Sequence, residues 1–399
     1  MPTIYKTFKY KLKPTRVQVE TFEQWIGVCR MIYNLAKETR EYAWKAYGVS
    51  LSKFDLQKQV TELRAEYDWI SDVPQKATED AIGRLDTAYQ NFFSGRAHYP
   101  DWAKKGKYRS FTLRGSLKIE YGRIRLPKVG WVRFFKDRMP SGQVKTATVI
   151  RQLDGWYVSV VAEAEAYHYP ASAHAIGIDM GVASLVTTSD GEFYENPRHF
   201  EALQRKLRVE QRSLARKKKG GSNWLTQKKR VSILHQKIAR MRTDYLHKLS
   251  TRLIRDNQAI VIEDLKVGNM SRSAKGSIDE PGKNVAAKSG LNRSIMDAGW
   301  GMFRTMLEYK TRWYGRTLIT VDAAYTSQTC SSCGHVSKDN RKTQAAFACQ
   351  ACGYENHADV NAAINILNRA NDALSELTCP VGESVSEESN KVKLKQDAN

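Results

Sequence analysis

Four cysteines late in the chain constrain its folding more than any other feature. Cys330-Ser331-Ser332-Cys333 and Cys349-Gln350-Ala351-Cys352 are two C-x2-C pairs with fifteen residues between them, the spacing of a four-thiolate zinc ribbon. A C-x2-C turn sets two sulfurs about 3.5 to 4 Å apart, as two corners of a tetrahedron with ~2.3 Å Zn–S bonds require. Gly334 and Gly353, one residue past each pair, let each knuckle curl back. The spacing predicts a zinc site; four buried thiols or two disulfides are the alternative. A few residues beyond the second pair, His357-Ala358-Asp359-Val360-Asn361 puts an acidic group at the start of an apolar helical run.

At 399 residues the chain can bury a large core and divide into two or three domains. No apolar run is long enough to cross a bilayer. The opening MPTIYKTFKYKLKP alternates polar and apolar residues and lacks a signal peptide's apolar stretch. The expected location is therefore the cytosol, where clustered thiols favour metal over disulfides. Lys and Arg total 64 against 42 Asp and Glu, a net charge of +22. The excess is spread along most of the chain, as expected of a surface that tracks a polyphosphate backbone. A membrane-surface protein would need a strongly apolar amphipathic face or a lipid anchor, and neither is evident. Ribosomal or chromatin-like packing is the bland alternative, but such chains are shorter and lack buried acidic motifs. Nucleic acid is the expected partner.

In order along the chain, residues 4–12 alternate Phe8, Tyr10 and Leu12 against Thr7, Lys9 and Lys11, a half-buried strand with a basic outer face. Thr15 and Gln18 are spaced as a capping box. Val19, Phe22, Ile26, Cys29 and Tyr33 then mark one face of a helix ending near Gly48. A second helix starts at Ser52 with Leu56, Val60, Leu63 and Tyr67 inward. A third follows Pro74 with Ala77, Ala81, Leu85, Ala88 and Phe92 inward. These helices predict a small domain over 13–95, whose aromatics at helical spacing read as core. The stretch SGRAHYPDWAKKGKYRSFTLRG from Ser94 suits a sugar-phosphate backbone and equally a solvated loop. Residues 111–166 read as antiparallel strands with turns at Tyr121-Gly122, Pro127 to Gly130 and Asp154-Gly155, the last a type I′ hairpin signal. With the first strand they predict a β-barrel or β-sandwich interrupted by the helical domain.

From Ala175 the pattern resets to a strand ending at Asp179, a tight turn at Gly181, and a hairpin at Asp190-Gly191. Two long basic helices follow between Arg198 and Asn257, split by Lys217-Lys218-Lys219-Gly220-Gly221. Their outward cations, among them Arg205, Lys229 and Arg230, read as nucleic-acid contacts together with Lys217, Lys218 and Lys219, or as a solvated face. AIVIEDLKV at 259–267 is a strand, 268–292 is expected to be mobile, and a helix runs from Ser294 to about Tyr314. A strand at Leu318 to Asp322 and the ribbon complete the core. The tail after Leu377, with an incidental Cys379, reads as disordered.

Asp179, Glu263 and Asp359 each stand at the end of an apolar element, 84 and 96 residues apart. Such elements converge in an α/β core, and sheet ends are where sites collect. Three clustered carboxylates would repel one another unless bound Mg²⁺ or Mn²⁺ neutralised them. Two such ions ~3.5 to 4 Å apart support phosphodiester hydrolysis by in-line displacement. Taken singly, each acid has a duller explanation: Asp359 as a helix cap, Glu263 as a salt-bridge partner. Asp264 is the rival to Glu263, and parity between the two faces stays open.

The motifs GIDMGV around Asp179, VIEDL around Glu263, LNRSIMDAGWGMF at 291–303, TSQTCSSCG at 326–334 and HADVNAAINIL at 357–367 resemble, in the same order, the RuvC domain of the TnpB family. That family comprises RNA-guided endonucleases of insertion-sequence transposons. The resemblance covers about residues 175–370. It implies an α+β and α/β multidomain chain: a wedge-type β-barrel (1–12 plus 96–170), an inserted helical recognition domain (13–95), an RNase H-like RuvC nuclease domain (171–325 plus 354–378), a zinc-ribbon insert that binds target nucleic acid (326–353) and a disordered tail (379–399). It further implies Asp179, Glu263 and Asp359 as Mg²⁺ or Mn²⁺ ligands, and Zn²⁺ held by Cys330, Cys333, Cys349 and Cys352. Arg341 is the candidate for an arginine that approaches the scissile bond in some relatives. The implied partners are a guide RNA derived from the transposon end and double-stranded target DNA beside a short adjacent motif. The implied assembly is a monomeric ribonucleoprotein. A compact type V CRISPR effector, or a non-cleaving RNA-guided DNA-binding factor, is the alternative.

Overall fold

In the computed structural model, which describes residues 3–115, 117–135, 138–195, 199–277 and 280–378, two compact units emerge. One takes residues 1–166 and 228–233, the other 167–227 and 234 onward. The expected disordered tail, with Cys379, lies outside the described residues.

In the first unit, β1 (Thr3–Lys13) buries Ile4, Phe8, Tyr10 and Leu12 and exposes Thr7 and Lys9, as alternation dictates. α1 (Arg16–Tyr47) opens with the Thr15–Gln18 capping box and stops at Gly48, whose φ of +64° suits a residue without a Cβ. Its buried seam is Phe22, Trp25, Val28, Cys29 and Ile32; Val19, Ile26 and Tyr33 pack at its margins. α2 (Lys53–Glu66) starts from a second box, Ser52 with Asp55. Tyr67, expected inward, is instead the extended cap of α2 and is 40% exposed. The short α3 (Asp68–Ser71) leads into α4 (Gln75–Phe93), which buries Ala77, Ala81, Ile82 and Leu85.

Six strands complete this unit: β2 (Ser110–Arg114), β3 (Lys118–Glu120), β4 (Arg123–Leu126), β5 (Gly130–Phe134), β6 (Gln143–Gln152) and β7 (Gly155–Glu165). With β1 they form one antiparallel sheet in the order β2-β6-β7-β1-β5-β4-β3. β1 binds β7 along residues 3–11 and β5 through Leu12 and Lys13. The expected β-barrel does not close: among the described residues β2 and β3 remain edges. β3 is only three residues long. β2 turns toward α4, where Arg84 donates to Ser110 O and Thr112 Oγ1, so an adjacent helix covers this edge. The last hairpin is also shifted by one residue. Gln152 pairs with Gly155, so Leu153-Asp154 is the turn, and Asp154 accepts from Tyr157 Oη.

The second unit comprises β8 (Ala175–Asp179), β9 (Ser184–Thr188), β10 (Phe193–Glu195), α5 (His199–Ala215), α6 (Ser222–Asp256) apart from its residues 228–233, β11 (Ala259–Glu263), α7 (Val267–Met270), α8 (Val285–Ala298), α9 (Trp300–Tyr314), β12 (Thr317–Val321), β13 (Ala346–Ala348), β14 (Glu355–His357), α10 (Ala358–Asn368) and α11 (Asn371–Thr378). Its sheet runs β10-β9-β8-β11-β12, with β8, β11 and β12 parallel and β9 antiparallel to β8. β11 is buried along its whole length, as a parallel strand covered on both faces must be. Ile176, Ile178, Ile260 and Ile262 pack with Leu246 and Leu249 of α6 and Phe303 and Leu307 of α9. On the opposite face Val261 packs against Ile366 and Ala370.

The segment expected to be mobile contains α7 and the first turns of α8, which begins at Val285 and not near Ser294. The expected single helix to Tyr314 is broken at Gly299, with φ +73°. A Cβ there would meet side-chain carbons of Arg242 and Leu246 at 3.2 Å. Among the described residues no helix is long and apolar enough to cross a membrane.

Candidate active site

β8 and β11 run in parallel with Ile178 opposite Ile262. The next residues, Asp179 and Glu263, therefore leave the sheet side by side at its carboxyl end, where open α/β sheets hold their ligands. Strand alternation turns Glu263 inward, 7% exposed, and sends Asp264 out to ion-pair with Arg304. Asp359 arrives from the other side as the second residue of α10. His357 caps this helix, its Nδ1 accepting from Asp359 N at 3.3 Å, and a helix N-terminus favours a carboxylate. α10 comes close to β8 because position 177 is glycine. A Cβ there would lie 2.2 Å from Ala363 O and 2.8 Å from Leu367 N.

Electrostatics link Asp179 to the other two acids. Burial pushes the Asp179 carboxyl up to about 7, and the charges of Glu263 and Asp359 push the same way, against Arg341 and the Met180 N–H. Burial also raises Glu263, while a hydrogen bond from Thr326 and the charge of Arg369 pull it down. Thr326 Oγ1 donates to Glu263 Oε1; Arg341 Nη2 donates to Asp359 Oδ1 at 3.0 Å. Carboxylates that meet at one sheet end could hold a divalent cation, and an all-oxygen donor set suits hard ions such as Mg²⁺ or Mn²⁺.

The thiolate cluster is more tightly drawn. Among the described residues, Cys330, Cys333, Cys349 and Cys352 form the one group of metal-ligating side chains whose ligand atoms all lie within 4.8 Å of one another. Cys330 Sγ stands 3.7 Å from Cys352 Sγ, and Cys333 Sγ stands 3.6 Å from Cys349 Sγ. A tetrahedron of ~2.3 Å metal–sulfur bonds has edges of about 3.8 Å, whereas a disulfide needs about 2.05 Å. Asn340, fully buried, ties the knuckles together by donating to Gln328 O and His335 O and accepting from Gln350 N.

The structure thus brings together Asp179, Glu263, Asp359 and Arg341. The other candidates lie along α5 and α6, which are joined by Gln227 donating to Glu210 O. Arg205 is exposed on α5; Lys217 is half-buried and Lys218 and Lys219 exposed in the connecting turn; Lys229 and Arg230 are exposed on α6. Residue-by-residue reading passed over Gly177, Thr326, Asn361 and Asn365. The two asparagines had a signal: they recur four apart inside the apolar run VNAAINIL, where a polar side chain must find a partner.

Three family models match the chain: one described as "Probable transposase" over residues 159–274, one as "Cas12f1-like, TNB domain" over 300–366, and one as "Helix-turn-helix domain" over 1–48. The chain is 41% identical over 371 residues to "Putative RNA-guided DNA endonuclease InsQ" of Escherichia coli K12, covering 91% of each chain. A Streptomyces pristinaespiralis protein of the same description is 35% identical, over 92% of this chain and 90% of its own length. The Cas12f1 endodeoxyribonuclease of Sulfoacidibacillus thermotolerans is 29% identical, over 58% of this chain and 55% of its own. Among solved structures, Cas12f1 in complex with sgRNA and target DNA shares the fold with a TM-score of 0.55. The match covers 92% of this chain and 99% of that one at 14% identity.

Proposed function

The chain belongs to the TnpB family of RNA-guided DNA endonucleases, and we propose that it cuts double-stranded DNA beside a short transposon-adjacent motif, directed by a guide RNA derived from the transposon end. One observation carries the reading: acids from three distant stretches, Asp179, Glu263 and Asp359, converge at one end of the second sheet, where the charges of the other two help raise Asp179. We take the unit around them as a nuclease domain of the RuvC type (171–325 plus 354–378) and 326–353 as its zinc-ribbon insert. Residues 1–12 plus 96–170 serve as the wedge and 13–95 as the recognition domain. The working form is a monomeric ribonucleoprotein in the cytoplasm.

In this mechanism Asp179, Glu263 and Asp359 would hold Mg²⁺ or Mn²⁺. When bound, such ions supply Lewis-acid charge that makes water nucleophilic near neutral pH and stabilises the leaving oxygen of a phosphodiester. Thr326 orients the Glu263 carboxylate through its hydroxyl. Arg341, held beside Asp359, supplies a fixed positive charge within reach of a phosphate drawn to the site. Cys330, Cys333, Cys349 and Cys352 would hold Zn²⁺, and a four-cysteine donor set suits a structural ion. Arg205, Lys217, Lys218, Lys219, Lys229 and Arg230 offer phosphate contacts along α5 and α6.

A compact type V CRISPR effector is the second reading, favoured by the fold shared with Cas12f1. Similarity over nearly the full length of InsQ favours the first. Sequencing the RNA that co-purifies with the protein tests the choice. The expected species carries a scaffold encoded at the transposon end next to the gene. RNA from a repeat array would support the second reading, and the absence of any enriched RNA would contradict both.

A further inference from the structure

The segment entering the first cysteine knuckle touches both metal-site candidates. Thr326, 4% exposed, donates its hydroxyl to Glu263 Oε1. Its carbonyl accepts from Asn365 Nδ2 at 2.9 Å, and the same amide donates to Thr329 O at 2.7 Å. Asn361, fully buried, donates to Thr329 O at 2.8 Å and accepts from the backbone N–H of Ser331 at 3.0 Å. Ser331 lies inside the first C-x2-C turn. Asn361 and Asn365 are one turn apart on α10, so they share a face, and that helix starts with Asp359. The second knuckle reaches the same place by another route: Ala346 pairs with His357, and Ala358 N donates to Ala345 O at 2.8 Å.

We propose that Thr326, Asn361 and Asn365 are positioning residues that couple the thiolate cluster to the carboxylate site, so that a metal held by the cysteines fixes the geometry in which Glu263 and Asp359 bind theirs. The proposal rests on reading both clusters as metal sites. Backbone bonds from Gln328 and Thr329 to Tyr325 O and from Cys330 to His335 O also hold this segment, as does Asn340 at Gln328 O; a metal at the four sulfurs would add a cross-link from the first knuckle to the second. With it, the first turn is closed, Thr329 O and Ser331 N are held against α10, and Thr326 is presented to Glu263. A partner one bond removed from a ligand acts through the ligand's orientation, and its loss weakens metal binding by about 10- to 100-fold. Coupling between two binding sites is reciprocal, so an ion at the carboxylates must also tighten binding of the ion at the thiolates.

The full-length protein tests this with Mn²⁺ as the probe. Its affinity is measured by electron paramagnetic resonance of the free ion, and zinc release is followed with a chromogenic chelator. Thr326→Val, which keeps the side chain's shape, is expected to weaken Mn²⁺ binding about tenfold while retaining its zinc. Thr326→Ser restores the hydroxyl and the affinity. In the wild type Mn²⁺ lowers the fraction of zinc the chelator withdraws at equilibrium, and in Thr326→Val it does not. Asp179→Ala separates the layers. If it loses Mn²⁺ binding while Thr326→Val keeps wild-type affinity, or while wild-type zinc release ignores Mn²⁺, the coupling is overturned. If Asp179→Ala keeps its Mn²⁺, the reading of the carboxylates fails and the proposal with it.

Discussion

At Asp179 the structure attaches a pH dependence to a single carboxyl. Its pKa rises from the usual 3.8 to about 7 in the fold. Between those values the folded state holds more protons than the unfolded state, so stability falls as pH rises through the window. At 1.36 kcal/mol per unit the loss is about 4 kcal/mol once pH exceeds 7. In metal-free protein, Asp179→Asn is therefore expected to melt near the wild type at pH 4.5 and above it at pH 8. A gap that stays constant across melting curves at pH 4.5, 6 and 8 contradicts this account. Added Mg²⁺ is expected to stabilise the wild type more at pH 8 than at pH 5. Its neighbours show how parity resolves a pair of acids. Glu263 faces in and Asp264 faces out to Arg304. Glu263→Gln is expected to lower cleavage by at least about a hundredfold, as loss of a metal ligand does, while Asp264→Asn stays within a few-fold. Equal losses in a cleavage time course would overturn the assignment.

At the scale of elements, the site depends on how closely a helix lies on a strand. Gly177→Ala puts a methyl into the backbone of Ala363 and Leu367 and must lift α10, carrying Asp359 away from Asp179. Overpacking of this kind costs about 1–3 kcal/mol. The expected outcome is a lower melting temperature together with weaker Mg²⁺ dependence of cleavage; an unchanged metal titration would contradict the close-packing argument. Much at this scale was legible in the sequence, because the signals are local: a capping box at Thr15, a helix start at Ser52, apolar runs ending at Asp179 and Glu263, paired cysteines at matching intervals. What was not legible depends on tertiary partners. At the Gly299 break a Cβ would meet Arg242 and Leu246, more than fifty residues away in sequence. Strand closure could not be read because pairing of β2 with β3 is a non-local choice, and Arg84 of α4 occupies that edge instead. Gly177 looked like any glycine in a strand, since its reason lies in α10.

For the whole molecule, a net charge of +22 spread over both units points to a polyanion, and charge alone cannot distinguish RNA from DNA or a guide from a target. The guide enters through family membership, carried by similarity along 91% of the chain, and the chemistry enters through three acids that only the folded chain brings together. Cleavage of a plasmid carrying the guide-matched target and adjacent motif, by protein purified with its RNA in the presence of Mg²⁺, tests both at once. The account predicts that wild type linearises the plasmid, while Asp179→Ala with the same RNA binds the target with wild-type affinity and leaves it uncut. Cutting by Asp179→Ala at the wild-type rate, or cutting of plasmid that lacks the guide-matched sequence, would contradict it.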